Sequence, residues 1–293
     1  MIIAEVGSNH DGSLTTAREY VRAAKQSGAD AVKFQFIRKD SLVSPKSNIG
    51  SRQEDYPPYA AFPLKDVPDQ WISELKTLSD DKGIEFFCTP FSLNAVDVLE
   101  AVGVGTYKIA SGDITFLPLL EKVANTGKRV ILATGASDLE DVRKAYTTLW
   151  EAGARDITLL HCVSNYPPQW EEMNLRAMTT LSEEFGCPVG ISDHTPGSAV
   201  PVAATALGAT VIEKHVTLNR ANPGPDHPYA MTFPEFREMV TDVGHIRAAL
   251  GSGEKKPTPA ELEKQWRMRR GIYDPVTFLP AARGIYLRPQ HRV

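Results

Sequence analysis

Glu213, Lys214 and His215 close a short apolar run, and Asp226 follows after a loop rich in Asn, Pro and Gly. An apolar run that finishes in three ionisable side chains either simply surfaces there or ends in a reactive site. The same kind of ending recurs along the chain. It appears at Glu5 with Asn9 and His10, at Lys33 and Gln35, at Thr89 with Ser92, and at Lys108 with Ser111 and Asp113. It returns at Thr134, at His161 with Ser164, Asn165 and Tyr166, and at Ser192, Asp193 and His194. Any one of these is an ordinary loop group. Recurring after every apolar run, they predict a shared rim on which chemistry is done.

Lys33 and Lys108 lie inside otherwise apolar runs, "AVKFQ" and "TYKIASG". A buried ammonium is costly unless an anion compensates it. Three readings are open. The hydroxyls of Thr89, Ser111, Thr134, Ser164 and Ser192 can each donate a hydrogen bond, so with the lysines they suit a phosphate oxyanion. A lysine can instead form a Schiff base, or pair with a buried glutamate. His194 and His215 end consecutive runs, where two imidazoles can share one divalent cation with carboxylate or water oxygens completing an open shell. His161 is a third ligand or a core residue, whereas His227 and His245, on a loop and a helix, carry little signal.

These groups need elements to hold them. Apolar runs that read as buried parallel strands cover Ile2–Val6, Ala31–Gln35, Ile84–Cys88, Thr106–Ala110, Arg129–Ala133, Ile157–Cys162, Pro188–Ile191 and Thr210–His215. Amphipathic stretches such as "LTTAREYVRAAKQSGAD" alternate with them, and the "SGAD", "DKGIE", "NTGKR" and "EAGARD" joints place Gly just past a helix end. The count predicts an α/β fold, a (β/α)8 TIM barrel over residues 1–255, in preference to a doubly wound open sheet. The connection from Ile37 to Val67 is too long for a simple βα loop and reads as a lid, a peripheral insertion or a subunit contact.

With 293 residues, 42% of them hydrophobic, the chain can bury one large core. A net charge of −4 with scattered Lys and Arg argues against a nucleic-acid surface, and the basic stretch from Arg267 to Arg292 reads as a solvated tail. Three cysteines without CxxC spacing suit a reducing compartment. "MIIAEV" reads as a strand rather than a signal peptide, and no apolar run is long enough to span a bilayer, so a cytoplasmic protein is expected.

Together, "IAEVGSNHDGS", "ADAVKFQ", "FFCTPFS", "YKIASGD", "LATGAS", "LHCVSNYP", "GISDHT" and "IEKHVTLNRANPGPDH" resemble the N-acetylneuraminate (sialic acid) synthase family. The resemblance runs in order from residue 2 to about residue 228. It implies a homodimeric transferase that condenses phosphoenolpyruvate with an acylamino sugar aldehyde to give a nonulosonic acid, using Mn2+ or Mg2+. It further implies that Lys33, Thr89, Lys108, Ser111, Thr134, Ser164 and Ser192 bind phosphoenolpyruvate and that His194 and His215 hold the metal. Glu5, Gln35, Asn165, Tyr166, Glu213 and Asp226 would then lie near the sugar and the water, with Asp113 where many members carry Glu. Bacterial members usually append a small domain, which the resemblance implies is reduced here to a tail over residues 256–293. The nearest alternatives are a deoxy-octulosonate phosphate type of condensing enzyme, a Schiff-base aldolase, and a barrel that binds ligand without catalysis.

Overall fold

The computed structural model describes residues 1–38, 42, 44–49, 52–55, 66–268, 271–273, 276, 277, 279 and 287–289. The strands of the first unit, Met1–Ala249, are β1 (Ile2–Gly7), β2 (Ala31–Phe36), β3 (Lys46–Ile49), β4 (Arg52–Asp55), β5 (Glu85–Pro90), β6 (Thr106–Ile109), β7 (Arg129–Ala133), β8 (Ile157–Cys162), β9 (Val189–Asp193), β10 (Val211–Thr217) and β11 (Met231–Thr232). Eight of them form one row in the order β5-β2-β1-β10-β9-β8-β7-β6, with every paired neighbour parallel. The two ends of the row, β5 and β6, lie side by side. There the Thr106 hydroxyl donates to Glu85 Oε1 at 2.5 Å. The row therefore nearly closes on itself, and the fold is the expected (β/α)8 barrel.

Parallel strands joined by helical crossovers are covered on both faces and must be apolar throughout. β1, β9 and β10 are buried along their whole length. The first crossover, helix Leu14–Gln26, shows how the sequence covers them. Ser13 accepts from the Thr16 N–H to cap it, and Ala17, Tyr20, Val21 and Ala24 form one buried face at helical spacing. Helix Leu139–Glu151 is capped more fully, with Asp138 and Asp141 satisfying each other's backbone N–H groups.

Several strands run further toward the rim than their apolar runs suggest. β5 extends to Pro90, β9 to Asp193 and β10 to Thr217, because backbone pairing continues through polar residues, as in the Gln35–Thr89 and Lys214–Asp193 registers. Ser192 and Asp193 thus belong to a strand, and the pleat decides where their side chains point.

In the long connection after β2, β3 and β4 form an antiparallel hairpin. Residues 39–41, 43, 50–51 and 56–65, on which the lid expectation largely falls, lie outside the described residues. The second unit, Leu250–Val293, contains helix Pro259–Met268 and a parallel pair formed by Gly271–Tyr273 and Leu287–Pro289. The expected tail falls within it. Among the described residues no helix is long and apolar enough to cross a membrane.

Candidate active site

Side chains two apart on a strand face the same way. Ile3, Ala31, Phe87, Ile131, Leu160 and Val211 form a small apolar cluster separate from the main core. Two residues further along the same strands stand Glu5, Lys33, Thr89, Ala133, Cys162 and Glu213. These form the next layer inside the barrel and, with Lys108 and Ser192, line a cavity of about 390 Å³. The cavity therefore has an apolar plug below it and a charged floor.

Glu5, Lys33, Lys108 and Glu213 are all buried, and they compensate one another. Lys33 Nζ lies 2.8 Å from Glu5 Oε2 and 3.7 Å from Glu213 Oε2, and donates to Thr89 Oγ1 at 3.2 Å. Lys108 Nζ lies 3.5 Å from Glu213 Oε1, to which the Ser192 hydroxyl donates at 2.9 Å. Gln35 Nε2 donates to Glu5 Oε1 at 2.9 Å. Each lysine is thus paired with a buried glutamate.

The two carboxyls are nonetheless set apart. Burial pushes both up. For Glu213 the combined charges of Lys108 and Lys33, with the Ser192 hydroxyl, outweigh burial and hold the carboxyl down at about 2. For Glu5 burial prevails over Lys33, Glu213 adds a repulsive charge, and its carboxyl stays above the usual carboxylate range. Lys108 is lowered, chiefly by burial against partial relief from Glu213. Two carboxyls in one cavity with separated affinities for a proton are suited to different tasks.

His194 and His215 close the rim side, with ring centroids 5.3 Å apart. Tyr166 packs 4.3 Å from His194 and Tyr229 5.3 Å from His215, centroid to centroid. His194 Nδ1 lies 3.1 Å from the Val163 carbonyl, which can only accept, so Nδ1 carries the proton and Nε2 keeps its lone pair. His215 Nδ1 is buried without a hydrogen-bond partner. Burial, reinforced by the neighbouring His215 ring, lowers His194 to about 3; burial, against Asp226, lowers His215. Two neutral imidazoles, one with an orphaned Nδ1, can donate to a divalent cation whose remaining positions are filled by oxygens. Among the described residues no three His, Cys, Asp or Glu side chains converge to hold a metal ion.

Gln35, Ser111, Ser164 and Tyr166 also line the cavity. Four expected residues do not. Thr134 turns outward, donates to the Leu160 carbonyl at 3.0 Å and lines a neighbouring cavity. Asn165 is exposed and donates to Glu172 at 3.0 Å. Asp113, in the short turn Ser111–Asp113, has a buried Oδ2 without a hydrogen-bond partner, and burial pushes its carboxyl up to about 6. Asp226, which with His215 crowds Gly7, accepts from the Ser8 hydroxyl at 3.1 Å. His161 Nε2 lies 2.7 Å from the Met173 carbonyl, which gives it a structural partner.

Other residues were missed because their contribution is backbone or packing. At Gly7, with φ +57°, an added Cβ would lie 3.1 Å from Asp226 Oδ2 and 3.2 Å from His215 Cε1. An added Cβ on Gly135 would overlap Ser164 Oγ and lie 2.8 Å from Ser111 Oγ, whereas its N–H donates to Ser111 Oγ at 2.9 Å. Phe91 lines the cavity, and Tyr229 hydrogen-bonds Asp226.

The sequence model of the NeuB family matches residues 20–255. The chain belongs to the NeuB family. Within that family, N,N'-diacetyllegionaminic acid synthase of Legionella pneumophila is 42% identical over 283 residues, covering 92% of this chain and 79% of that protein. Pseudaminic acid synthase of Helicobacter pylori is 37% identical over 277 residues, covering 93% and 82%. Among solved structures, the N-acetylneuraminic acid (sialic acid) synthetase of Leptospira borgpetersenii serovar Hardjo-bovis, in complex with citrate, superimposes with a TM-score of 0.81 at 34% identity. It covers 90% of this chain and 89% of that one. The NeuB match spans Lys33, Lys108, Ser192, His194, Glu213 and His215.

Proposed function

We propose that the chain condenses phosphoenolpyruvate with an N-acylated mannosamine-like sugar aldehyde, giving a nonulosonic acid and inorganic phosphate. The observation that carries this reading is the charged layer inside the barrel: two buried lysines ringed by hydroxyls, with two buried carboxylates and two neutral imidazoles above the same cavity. The NeuB-family relatives, synthases of legionaminic, pseudaminic and N-acetylneuraminic acids by name, support it.

On this reading Lys33 and Lys108 meet the phosphate and carboxylate of phosphoenolpyruvate, whose negative charge takes over part of what Glu5 and Glu213 supply in the free enzyme. Hydroxyls of Thr89, Ser111, Ser164 and Ser192 donate to its oxygens. The enol carbon attacks the aldehyde carbon of the sugar, and positive character develops at the carbon bearing phosphate. Water adds there, and the phosphate leaves with cleavage of its C–O bond. Glu213, held ionised by its two lysines, orients that water and accepts its proton. Once phosphoenolpyruvate supplies the anion facing Lys33, Glu5, whose carboxyl keeps a proton more readily, takes one up and hands it to the oxygen of the former aldehyde. His194 and His215 would hold a divalent cation, Mn2+ or Mg2+, whose contribution when bound is to polarise the aldehyde oxygen.

The direct test is phosphate release from phosphoenolpyruvate with Mn2+, comparing N-acetylmannosamine with diamino-sugar analogues and with their 6-phosphates. Release that requires one free acylamino sugar supports the reading and names the substrate. A strict requirement for a sugar phosphate favours the deoxy-octulosonate type of acceptor, and no release with any acceptor removes the catalytic reading.

A further inference from the structure

His227 lies in the exposed, Pro- and Gly-rich loop after β10, yet its side chain is fully buried. Both ring nitrogens are engaged: Nε2 stands 3.0 Å from Asp11 Oδ1, and Nδ1 stands 2.8 Å from Thr217 Oγ1. Asp11 Oδ1 can only accept, so Nε2–H donates to it, while Thr217 Oγ1, which also accepts from the Asn219 N–H at 3.0 Å, is the partner of Nδ1. Asn222 Nδ2 donates to the other Asp11 oxygen at 3.3 Å. The result is one connected network with no polar group of the imidazole left over, the condition under which a buried network is rigid.

The chain joins two loops. Alongside it, Asn9 Nδ2 donates to the Val216 carbonyl at 2.9 Å, and the Ser8 hydroxyl donates to Asp226. Residues 8 and 11, after β1, thus reach across to 226 and 227, after β10, and residue 9 reaches 216 near the end of β10. The ring is closely enclosed: a Cβ on Gly224 would lie 2.8 Å from His227 Cδ2. None of His227, Asp11 and Thr217 lines the catalytic cavity. Asp226, the next residue in the chain, is what they hold beside His215.

We propose that His227 is a positioning residue: by bridging Asp11 and Thr217 it locks the Asp226 loop to the loop after β1, and turnover depends on that lock while phosphoenolpyruvate binding does not. Resting on the condensing reaction proposed above, the inference predicts a split that a purely structural histidine would not give, because the lysines and hydroxyls lie on other strands.

The test uses the full chain with Mn2+ and the variants H227A, H227Q, D11A and H227A/D11A. Phosphoenolpyruvate affinity is read by calorimetry, kcat and the sugar KM by phosphate release, and loop order by hydrogen exchange over residues 217–230. In H227A, phosphoenolpyruvate affinity is expected to change by less than about 2-fold. Its kcat falls roughly 100-fold with a raised sugar KM, the scale of a displacement of about 1 Å at a reacting group. D11A follows the same pattern, the double variant is no worse than the more damaged single one because both cut one connection, and H227Q, whose amide can bridge the same partners, recovers part of the loss. Wild-type kcat in H227A overturns the proposal, as does a loss of phosphoenolpyruvate affinity in step with kcat and a uniform rise in exchange. If H227A does not fold, D11A, at a partly exposed position, carries the same readouts. A wild-type chain that releases no phosphate counts against the reaction, not the lock; exchange over residues 217–230 then decides, and protection unchanged in H227A and D11A overturns the inference.

Discussion

Gly135 stands so close to Ser164 that no side chain fits between them: an added Cβ would overlap Ser164 Oγ and crowd Ser111 Oγ at 2.8 Å. Two hydroxyls assigned to phosphoenolpyruvate are therefore spaced by the absence of an atom. The expected result for G135A is a weakening of phosphoenolpyruvate binding by about 10-fold or more, the scale of overpacking by a methyl group, with a smaller effect on the sugar KM. Calorimetric titration checks it, and wild-type affinity would remove these hydroxyls from the binding site.

Glu213 serves two buried lysines at once. Replacing it by Gln leaves Lys108 without its anion and Lys33 with Glu5 alone, and removing one partner of a buried pair costs roughly 3–5 kcal/mol of stability. Phosphoenolpyruvate brings negative charge back to the same place. E213Q is expected to melt at a lower temperature, to be rescued toward the wild-type melting temperature by phosphoenolpyruvate, and to turn over at least about 100-fold more slowly. Thermal melts with and without the ligand, beside steady-state rates, read all three. Near-wild-type turnover would take Glu213 out of the chemistry.

The two imidazoles make metal dependence testable. Chelation by EDTA is expected to abolish phosphate release and Mn2+ or Mg2+ to restore it, whereas H194A and H215A should bind Mn2+ at least about 10-fold more weakly by calorimetry. Full activity after exhaustive chelation would exclude the metal role of these histidines.

Asp113 supplies a pH prediction with a definite sign. Burial raises its carboxyl from 3.8 to about 6 in the fold. The unfolded chain gives up this proton first as pH rises, so the stability associated with keeping Asp113 protonated is present below about 3.8 and lost through about 6. Relative to D113N, the wild type should therefore lose stability between pH 4 and 6.5 and hold a constant difference above that. Urea midpoints for both proteins across this range test it, and parallel curves would show that the carboxyl is not desolvated.

Lys33 and Lys108 were legible as anomalies because an ammonium in an apolar strand has few explanations, and their strand positions placed them inside the barrel. What they touch was not legible. Glu5, Lys33 and Glu213 lie on the neighbouring strands β1, β2 and β10, whereas Lys108 lies on β6 at the end of the row, and closure of the row is what brings it to Glu213. Thr134 shows the limit from the other side. It matched the hydroxyl pattern of the rim but lies one residue beyond the inward-facing Ala133, so the pleat turns it away from the cavity.

The chain's own sequence determined the barrel, because apolar runs buried on both faces and alternating with amphipathic helices have few other ways to hide that surface. It also determined which side chains gather at the strand ends, since strand direction puts every C-terminal end on one rim. The tertiary structure alone decided how these side chains are paired and which are orphaned. It decided that Gly7 and Gly135 matter for the Cβ atoms they lack, and that His227, an unremarkable loop residue by sequence, is buried with both nitrogens bonded. Period and composition are local quantities, whereas pairing, desolvation and close approach depend on residues hundreds of positions apart in the chain, as Asp11 and His227 are.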